Sequence, residues 1–354
     1  MKVLHLPADI GGNTWALARA ERALGIDSKV LVRSSAWSGF PADIQLDVGS
    51  RSLRSLAVLA STFLQVRTQF DVFHFNFGSS LFHSLSLPVA QPELGLYPRK
   101  ARVFATYNGC DARQKFPTVA RGGISACRED DCYGGMCNSG VLDERRRAGI
   151  DRMAARAEHV WAVNPDLLYF LPRDRSTFLP YSIPDPGLGV HWPSAEGPLR
   201  VAHAPTQRGA KGTAYVLAAF QALARKLPGR FAFDLVEGVS REEALRRYVA
   251  ADVVVDQVLL GWYGAVGVEA MLLGKAVCVF VKEEDLAPVP GDMRSALKAA
   301  VVNVTPETLE DQLVALHEDR DRLLRIARAG HAYARHWHDP AAVAAATSAR
   351  YAAG

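Results

Sequence analysis

Residues 201–226 have the sequence VAHAPTQRGAKGTAYVLAAFQALARK. Its first residues, Val201–Ala204, are typical of a buried strand, and Thr213–Lys226 has the apolar spacing of a helix. The loop between them carries two cations, Arg208 and Lys211. A helix that begins at such a loop adds unpaired N–H groups and a partial positive charge. The segment therefore predicts a strand–loop–helix unit with a pyrophosphate site; a solvated basic loop is the alternative.

The same alternation of strand and helix extends in both directions from this segment. Strands are predicted at Val3–Leu6, Lys29–Val32, Val72–Phe75, Arg102–Tyr107, Val160–Val163, Thr177–Leu179, Phe231–Val236, Val253–Gln257 and Ala276–Phe280. Helices are predicted at Thr14–Leu24, Arg241–Ala250, Val266–Leu273, Pro306–Gly330 and Pro340–Ala353. Strands that alternate with helices form parallel sheets covered on both faces.

A segment rich in proline and glycine, residues 180–198, interrupts this alternation and is typical of a linker. We therefore predict an α/β protein with two doubly wound, Rossmann-like domains that face each other across a cleft. The predicted boundaries are residues 1–185 for the first domain, 186–198 for the linker and 199–335 for the second domain. Residues 336–354 are predicted as a C-terminal helix that crosses back to the first domain. In such folds ligands bind at the carboxyl ends of the strands.

Composition limits the classes of function. The chain has 354 residues, of which 49% are hydrophobic and 22% charged, as in globular proteins. A net charge of +4 is too small to indicate a nucleic-acid partner. No apolar run approaches the roughly 18–20 residues that a transmembrane helix needs. The N-terminal residues resemble a first strand more than a signal peptide, so a cytoplasmic location is expected.

A second stretch, residues 256–271, has the sequence DQVLLGWYGAVGVEAM. It follows a predicted strand and begins a helix, where Gly264 and Gly267 would expose backbone N–H groups. Glu269 lies inside that helix in an otherwise apolar run. A carboxylate there is either a paired structural residue or a ligand for a sugar diol, because an unpaired buried glutamate would be costly.

Lys211-Gly212-Thr213 together with Gly264, Glu269-Ala270-Met271 and Gly274-Lys275 resembles the donor half of the family-4 retaining glycosyltransferases, which have the GT-B fold. The resemblance implies that Arg208 and Lys211 neutralise the diphosphate of a nucleotide sugar and that Glu269 binds its ribose. It also implies retention of the anomeric configuration. The sequence departs from the family at Gly261, where a second glutamate usually stands.

Cations aimed at a departing diphosphate stabilise the transition state without a metal. No cofactor is therefore expected to be required for catalysis. The Asp-x-Asp pair Asp319 and Asp321 falls inside the helix predicted from about Pro306 to Gly330, where a solvated face is expected.

The first half contains a glycine pair between its first strand and first helix. Gly11, Gly12 and Asn13 resemble the glycine loop that faces the donor phosphates in the family. The alternative is a plain strand–helix turn in which Asn13 or Thr14 caps the helix.

Two further strands of the first half end in polar residues. His74 lies in the strand near residues 72–75, where a structural role and a direct catalytic role both remain open. Residues 106–113 resemble the family segment whose histidine lies at the reacting centre, and Asn108 stands at that position. An amide can bind a sugar hydroxyl but cannot take a proton as an imidazole does. Asp111 is the acidic group that remains nearby.

Four cysteines, Cys110, Cys127, Cys132 and Cys137, fall within a short polar segment. Four thiolates could form a structural Zn²⁺ site. Two disulfides or reduced thiols in a mobile loop are the alternatives.

Residues 51–67 have the pattern of an amphipathic helix with arginines around its apolar positions. Such a helix either lies on an anionic membrane or packs on its own sheet.

The resemblance implies a hexosyltransferase-like enzyme that moves a sugar from a nucleotide-diphosphate sugar to a glycan, a lipid-linked acceptor or a small molecule. A GT-B protein that binds nucleotide sugar or glycan with little catalysis is the alternative, because Gly261 and Asn108 replace acidic and imidazole groups. An epimerase or phosphorylase is disfavoured, since no catalytic acid pair or cofactor lysine is recognisable.

Overall fold

The computed structural model describes residues 1–34, 39–48, 52–82 and 90–353. Strands in these ranges all pair in parallel. In chain order they are β1 (Lys2–Leu6), β2 (Asp27–Val32), β3 (Ile44–Gln45), β4 (Val72–Asn76), β5 (Arg102–Tyr107), β6 (His159–Ala162), β7 (Ser176–Phe178), β8 (Leu199–His203), β9 (Phe231–Leu235), β10 (Val253–Val255), β11 (Ala276–Val279) and β12 (Val302–Asn303).

Helices cover the strands. In chain order they are α1 (Asn13–Ala23), α2 (Leu53–Val66), α3 (Lys115–Ala120), α4 (Val141–Ala154), α5 (Arg208–Lys211), α6 (Thr213–Lys226), α7 (Arg241–Ala250), α8 (Ala265–Leu272), α9 (Gly291–Ala300), α10 (Leu309–Glu318), α11 (Arg320–Trp337) and α12 (Pro340–Ala352). None of those in the described ranges combines the length and apolar character that crossing a bilayer requires.

The strands form two sheets. One has seven strands in the order β3-β2-β1-β4-β5-β6-β7, and the other has five in the order β12-β11-β10-β8-β9. The inner strands are covered by helices on both faces, and every residue of β4 and β11 is buried. Carboxyl ends of neighbouring parallel strands share one edge of a sheet, so the loops that follow β8 and β10 meet, as do those that follow β1, β4 and β5.

The chain divides into two compact units. The first unit contains residues 1–114, 141–184 and the described residues from 339 onward, and the second contains residues 115–140 and 185–338. Residues 115–140, expected from sequence within the first domain, thus belong to the second unit. They do so because Ala126 is buried in that unit's core and its N–H donates to the Leu259 carbonyl, 3.0 Å away.

The last helix, α12, packs against α1 within the first unit. Tyr351 is buried there, and its hydroxyl lies 2.6 Å from His74 Nδ1. Thr347 donates to the Glu21 carboxylate over 3.4 Å. The first unit is therefore completed by residues that lie far from it in sequence.

The prediction of one long helix from about Pro306 to Gly330 is wrong. The segment forms two helices, α10 and α11, with a break at Asp319. Asp319 leaves helical geometry and its side chain accepts from the Arg322 N–H over 2.7 Å, which caps α11. Asp319 is thus a capping residue and does not lie on a continuous helix face.

Candidate functional site

The loops after β8 and β10 meet through a buried ion pair in the second unit. Lys211 Nζ lies 2.6 Å from Asp256 Oδ1, and these side chains are 10% and 0% exposed. The Gly264 N–H, at the start of α8, donates to Asp256 Oδ2 over 2.5 Å. Asp256 therefore holds Lys211 and the beginning of α8 together at the carboxyl edge of the five-stranded sheet.

Two predicted site glycines make room for this pair. A Cβ at Gly264 would lie 3.2 Å from Lys211 Nζ, and one at Gly267 would lie 3.0 Å from Asp256 Oδ2. Both distances are shorter than ordinary van der Waals contacts. A side chain at either position would therefore clash with the Lys211–Asp256 pair. Packing within the protein thus explains why residues 264 and 267 are glycines.

Close packing also explains the glycines on either side of Lys211. Gly212 has φ +75°, and a Cβ there would lie 2.5 Å from Val258 Cγ2. A Cβ at Gly209 would lie 3.0 Å from the Cα of Cys132. Glycines in such a loop can let a ligand approach the backbone closely. In the structure they let other segments of the second unit approach it.

Arg208 is the exposed cation of this edge. Its side chain is 58% exposed, and its guanidinium donates to both oxygens of Glu237 over 2.8 and 2.5 Å. Glu237 follows β9, the strand beside β8. An exposed pair of this kind contributes little to stability and exchanges readily. Arg208 can therefore leave Glu237 for an incoming anion, whereas Lys211 is held by its buried partner.

Glu269 is paired in the structure. Its carboxylate is nearly buried, and Arg241 donates to Oε1 from Nη2 over 2.6 Å and from Nε over 3.0 Å. Burial raises the pKa of Glu269, and Arg241 opposes that rise. Both bonds end on one oxygen, so pairing with Arg241 still leaves Oε2 to other partners.

Gly261 stands where the resembling family has a second glutamate. It has φ +69°, and a Cβ there would lie 3.0 Å from Lys282 Cβ. A glutamate at this position would need a left-handed backbone and room that the structure does not offer. Asp256 does not substitute for that glutamate, because its carboxylate is fully buried between Lys211 and Gly264.

The glycine loop of the first unit forms a tight entry into α1. Gly11 and Gly12 have φ +62° and +80°, and a Cβ at Gly12 would lie 2.3 Å from the Phe40 ring. Asn13 Oδ1 accepts from the Ser182 N–H over 2.7 Å. The alternative in which Asn13 or Thr14 caps α1 is wrong, because Gly12 is the capping position and makes no side-chain hydrogen bond.

Asp9 supplies the missing contact at this helix start. Its Oδ1 accepts from the Thr14 N–H over 2.9 Å, while its Oδ2 is buried with no hydrogen-bond partner among the described residues. Burial raises the pKa of Asp9 to about 6. Asp9 is a site residue that the sequence motifs do not mark, and its place just after β1 is the one sequence signal for it.

Asn108 and Asp111 form the turn after β5. The Asp111 carboxylate accepts from the N–H groups of Asn108, at 2.9 Å, and Gly109, at 2.5 Å. Burial raises the pKa of Asp111 to about 6. The Asn108 side-chain amide is buried, and within the described chain neither its oxygen nor its nitrogen has a partner. Asp111 thus fixes the turn that presents the Asn108 amide.

His74 lies inside the first unit. It is fully buried, and its ring nitrogens lie 2.6 Å from the Tyr351 hydroxyl and 2.7 Å from the Thr106 hydroxyl. Burial, with a smaller contribution from His5, holds the pKa of His74 well below its usual value. This arrangement favours the structural role and gives the predicted catalytic role no support.

The cysteine segment contributes to packing. Cys132 is partly buried against the core of the second unit, and Arg113 Nη1 lies 3.8 Å from Cys110 Sγ in the first unit. Over the described ranges, no group of three or more histidine, cysteine or acidic side chains is arranged to hold a metal ion. Zinc binding by Cys110, Cys127, Cys132 and Cys137 stays a prediction that the structure does not support.

Comparison with solved structures finds several enzymes whose fold is similar to that of this chain. The sucrose-phosphate synthase of Thermosynechococcus elongatus has a TM-score of 0.65 at 14% identity, over 99% of this chain and 98% of that one. UDP-GlcNAc 2-epimerase from Neisseria meningitidis, bound to UDP-GlcNAc, has a TM-score of 0.55 at 14% identity, over 100% of both chains. Anabaena Alr3699/HepE, in complex with UDP and glucose, has a TM-score of 0.54 at 13% identity, also over 100% of both.

At these identities the likeness shows the fold. The predicted fold class, a GT-B protein with two Rossmann-like domains, is confirmed by the two parallel sheets and by these neighbours. No protein-family model and no curated protein sequence matches the chain.

Proposed function

We propose that the protein is a glycosyltransferase that binds a nucleoside-diphosphate sugar at the carboxyl edge of the five-stranded sheet. The observation that carries this proposal is the exposed Arg208, which stands beside the Lys211–Asp256 pair and the start of α8. The structural neighbours solved with UDP, UDP-GlcNAc or glucose support it. The acceptor is a glycan, a lipid-linked molecule or a small molecule, and the family resemblance implies retention.

The residues have distinct roles in this proposal. Arg208 binds the diphosphate by exchanging Glu237 for a phosphate oxygen, and guanidinium matches phosphate in a bidentate manner. Lys211 adds positive potential from its buried position. Glu269, held by Arg241, presents Oε2 to the ribose diol. Positive charge that is fixed beside the diphosphate stabilises the charge that develops there as the glycosidic bond breaks.

The affinity of the protein for UDP tests the proposed role of Arg208. Arg208→Gln is expected to weaken UDP binding by about tenfold, because a charge-assisted bond is lost at an exposed site. Glu237→Gln is expected to strengthen it a few-fold, since Arg208 no longer needs to leave a carboxylate. Isothermal titration at fixed ionic strength gives both values.

Arg246→Gln is the matched control, because Arg246 is also 58% exposed and pairs with glutamates on α7. Equal losses for Arg208→Gln and Arg246→Gln would point to net charge alone and contradict the assignment. Thermal-shift titration with UDP, GDP, ADP and TDP identifies the base. If none of the four stabilises the protein, the donor site is wrong.

Two alternatives remain as outcomes of a turnover experiment. A binding protein with little catalysis is favoured by Gly261 and Asn108, which lack the acidic and imidazole groups of the family. A sugar epimerase is suggested by neighbours such as UDP-GlcNAc 2-epimerase. Incubation with UDP-glucose or UDP-GlcNAc separates them. Release of UDP favours the transferase, a C2-epimerised UDP-sugar favours the epimerase, and tight binding without either product favours the binding protein.

Helix α2 fits contact with an anionic membrane. One face packs inward through Leu59, Phe63 and Val66, as the alternative of packing on its own sheet required. Three other leucines of the helix are exposed, Leu53 (87%), Leu56 (54%) and Leu64 (63%). Residues 48–70 contain three arginines and no acidic residue. Exposed leucines among positive charges are typical of helices that lie on anionic lipid.

We expect the protein to bind vesicles that contain phosphatidylserine more strongly than vesicles of phosphatidylcholine alone. Replacing Leu53, Leu56 and Leu64 together with glutamine should lower this binding by roughly tenfold or more, because each leucine that leaves water contributes up to about 1.5–3 kcal/mol. Vesicle co-sedimentation measures the change. Leu24 and Leu96, which are 51% and 58% exposed on other segments of the first unit, provide the control substitutions. If the wild-type protein binds vesicles with phosphatidylserine no more strongly than vesicles of phosphatidylcholine alone, this contact is refuted.

A further inference from the structure

Charged side chains meet at the amino edge of the five-stranded sheet. Arg200 lies at the start of β8, Asp252 directly precedes β10, and Lys275 directly precedes β11. The Asp252 N–H donates to the Arg200 carbonyl over 2.8 Å, and the Ala276 N–H donates to the Asp252 carbonyl over 3.3 Å. These residues therefore form one row across three neighbouring strands. The row lies at the opposite ends of the strands from the loops that follow β8 and β10.

The Asp252 carboxylate is already saturated with donors in this row. Its side chain is fully buried, and the Arg200 guanidinium donates to Oδ1 from Nη2 over 2.8 Å and to Oδ2 from Nε over 3.1 Å. The N–H groups of Ser194 and Arg200 donate to the same two oxygens over 2.8 and 2.9 Å. Each oxygen thus has two donors, which is its full capacity. Asp252 and Arg200 therefore form a neutral pair that accepts no further cation by direct contact.

Arg320, at the start of α11, adds a cation that no carboxylate neutralises. Its guanidinium donates from Nη2 to the Gly197 carbonyl over 2.8 Å and from Nε to the His317 carbonyl over 3.0 Å. Within the part of the chain that the structure describes, no acidic side chain forms an ion pair with it. Burial lowers the pKa of Arg320; Asp252 opposes that shift and Arg200 adds to it. Arg320 therefore lies within electrostatic reach of the row.

Lys275 is a buried ammonium group without a partner. It is only 1% exposed, and among the described residues its side chain makes no hydrogen bond or ion pair. Burial lowers the pKa of Lys275 to about 8; Asp252 opposes that shift and Arg200 adds to it. Lys275 therefore keeps its positive charge at neutral pH. Such a group is rare in a folded protein, because the hydration that it loses is not replaced.

The charges around Lys275 do not balance. Arg200, Asp252, Lys275 and Arg320 are here called the amino-edge cluster. Arg200 and Asp252 neutralise each other, which leaves the positive charges of Lys275 and Arg320. An anion with two negative charges would balance them and would give Lys275 the acceptor that it lacks. Ammonium and guanidinium groups both donate strongly to phosphate oxygens. Arg200, whose side chain is 47% exposed, connects the cluster to solvent.

We propose that the amino-edge cluster binds inorganic phosphate, with Lys275 as its principal contact and Arg200 and Arg320 beside it. A phosphate group carries up to about two negative charges at neutral pH and presents several acceptor oxygens. The site is separate from the proposed nucleotide-sugar site, which lies at the carboxyl edge of the same sheet. Phosphate bound at the cluster would stabilise the second unit, because the row exists only while the strands are assembled.

Equilibrium dialysis with radiolabelled inorganic phosphate tests the site on the full chain. Lys275→Met keeps a side chain of similar length and removes the ammonium group. We expect this variant to bind phosphate about tenfold more weakly or worse, because a charge-assisted hydrogen bond is lost. Lys226→Met, at a lysine that is 66% exposed on α6, is the matched control and should bind phosphate as the wild type does. A wild type that binds no phosphate, or equal binding by Lys275→Met and the wild type, overturns the proposal.

Denaturant unfolding gives an independent measurement. Millimolar phosphate at fixed ionic strength should raise the unfolding midpoint of the wild type and of Lys226→Met, because phosphate binds the folded chain. It should leave the midpoint of Lys275→Met nearly unchanged. Comparing the three proteins in the same salt removes the general effect of phosphate on protein hydration. An equal rise in all three contradicts the site. If Lys275→Met does not fold, Arg320→Gln decides, since unchanged phosphate binding in that variant overturns the proposal.

Arg208→Gln separates this site from the proposed donor site. The variant should keep its phosphate binding; binding that is lost there and kept in Lys275→Met would place phosphate at the carboxyl edge and overturn the proposal. Phosphate binding that depends on Lys275 in a protein that does not bind UDP contradicts the proposed function alone.

Glycerol 3-phosphate distinguishes free phosphate from a phosphate ester. We expect it to bind several-fold more weakly than inorganic phosphate, because Lys275 is buried and the ester adds bulk. Tighter binding of the ester overturns the assignment to free phosphate.

Discussion

Lys211→Met is expected to lower the free energy of unfolding by about 3–5 kcal/mol, because it leaves Asp256 as an unpaired buried charge. Asp256 is fully buried and would retain the Gly264 N–H as a hydrogen-bond donor. One backbone donor cannot replace an ammonium group in a site from which water is excluded. Denaturant unfolding, followed by the shift of the midpoint, measures the loss.

Lys226→Met is the control for this prediction. Lys226 pairs with Glu310 over 2.6 Å, but its side chain is 66% exposed, so at most about 1 kcal/mol is expected. A second substitution, Asp256→Asn in the Lys211→Met background, should recover much of the stability because the buried charge is gone. If Lys211→Met lowers the free energy of unfolding no more than Lys226→Met does, the Lys211–Asp256 pair has no structural role. The doubly substituted protein, if folded, then shows what Lys211 adds to UDP binding.

Asp9→Asn is expected to change how stability depends on pH. Burial raises the pKa of Asp9 from 3.8 to about 6 in the folded protein, so its protonated form favours the folded state. This contribution is fully present below pH 3.8 and is lost as the pH rises through 6. A shift of about two pKa units corresponds to roughly 3 kcal/mol. Asparagine cannot ionise, so the variant should gain about that much stability relative to wild type between pH 4 and pH 8.

The measurement compares the two unfolding free energies at each pH. Other titrating groups, such as Asp111, occur in both proteins, so their contributions largely cancel in the difference. The absolute stability of the variant also depends on how well the new amide packs. The pH dependence of the difference in unfolding free energy does not depend on that packing. A difference that stays constant between pH 4 and pH 8 would show that the Asp9 carboxyl is not desolvated.

The regular elements were readable from the sequence because their apolar periodicity is strong. β5 and α6 have the predicted bounds, Arg102–Tyr107 and Thr213–Lys226. The break at Asp319 was missed, since a single capping residue inside a charged, periodic segment resembles a helix interior. Strand β12 has two residues, too few for a pattern.

The electrostatic partners of the candidate site were not readable. Arg208, Lys211 and Glu269 were recognised by their motifs, but Glu237, Asp256 and Arg241 lie 28–45 residues away from the groups they pair with. Which carboxylate meets which cation depends on strand order and side-chain direction, and a sequence pattern specifies neither. The structure therefore changes the proposed roles, with Arg208 as the exchangeable ligand and Lys211 as a compensated charge.

Asp9 illustrates a second limit. Its position after β1 indicates the carboxyl edge of a sheet, but many aspartates there only cap the next helix. What distinguishes Asp9 is that one oxygen caps α1 and the other is buried without a partner in the described chain. Burial of a single atom is a property of packing and leaves no signal in the sequence.

The division of the chain has a consequence for biosynthesis. During translation the strands of the first unit emerge early, but α12, which covers α1 and contacts His74 through Tyr351, is made after every other described element. Domains usually fold as they leave the ribosome, in order from the N-terminus. Here the first unit cannot complete its fold while residues 185–338 are being synthesised. During that time the side of α1 that faces α12 is exposed. Chaperone dependence of the nascent chain should therefore persist until its final helix is released.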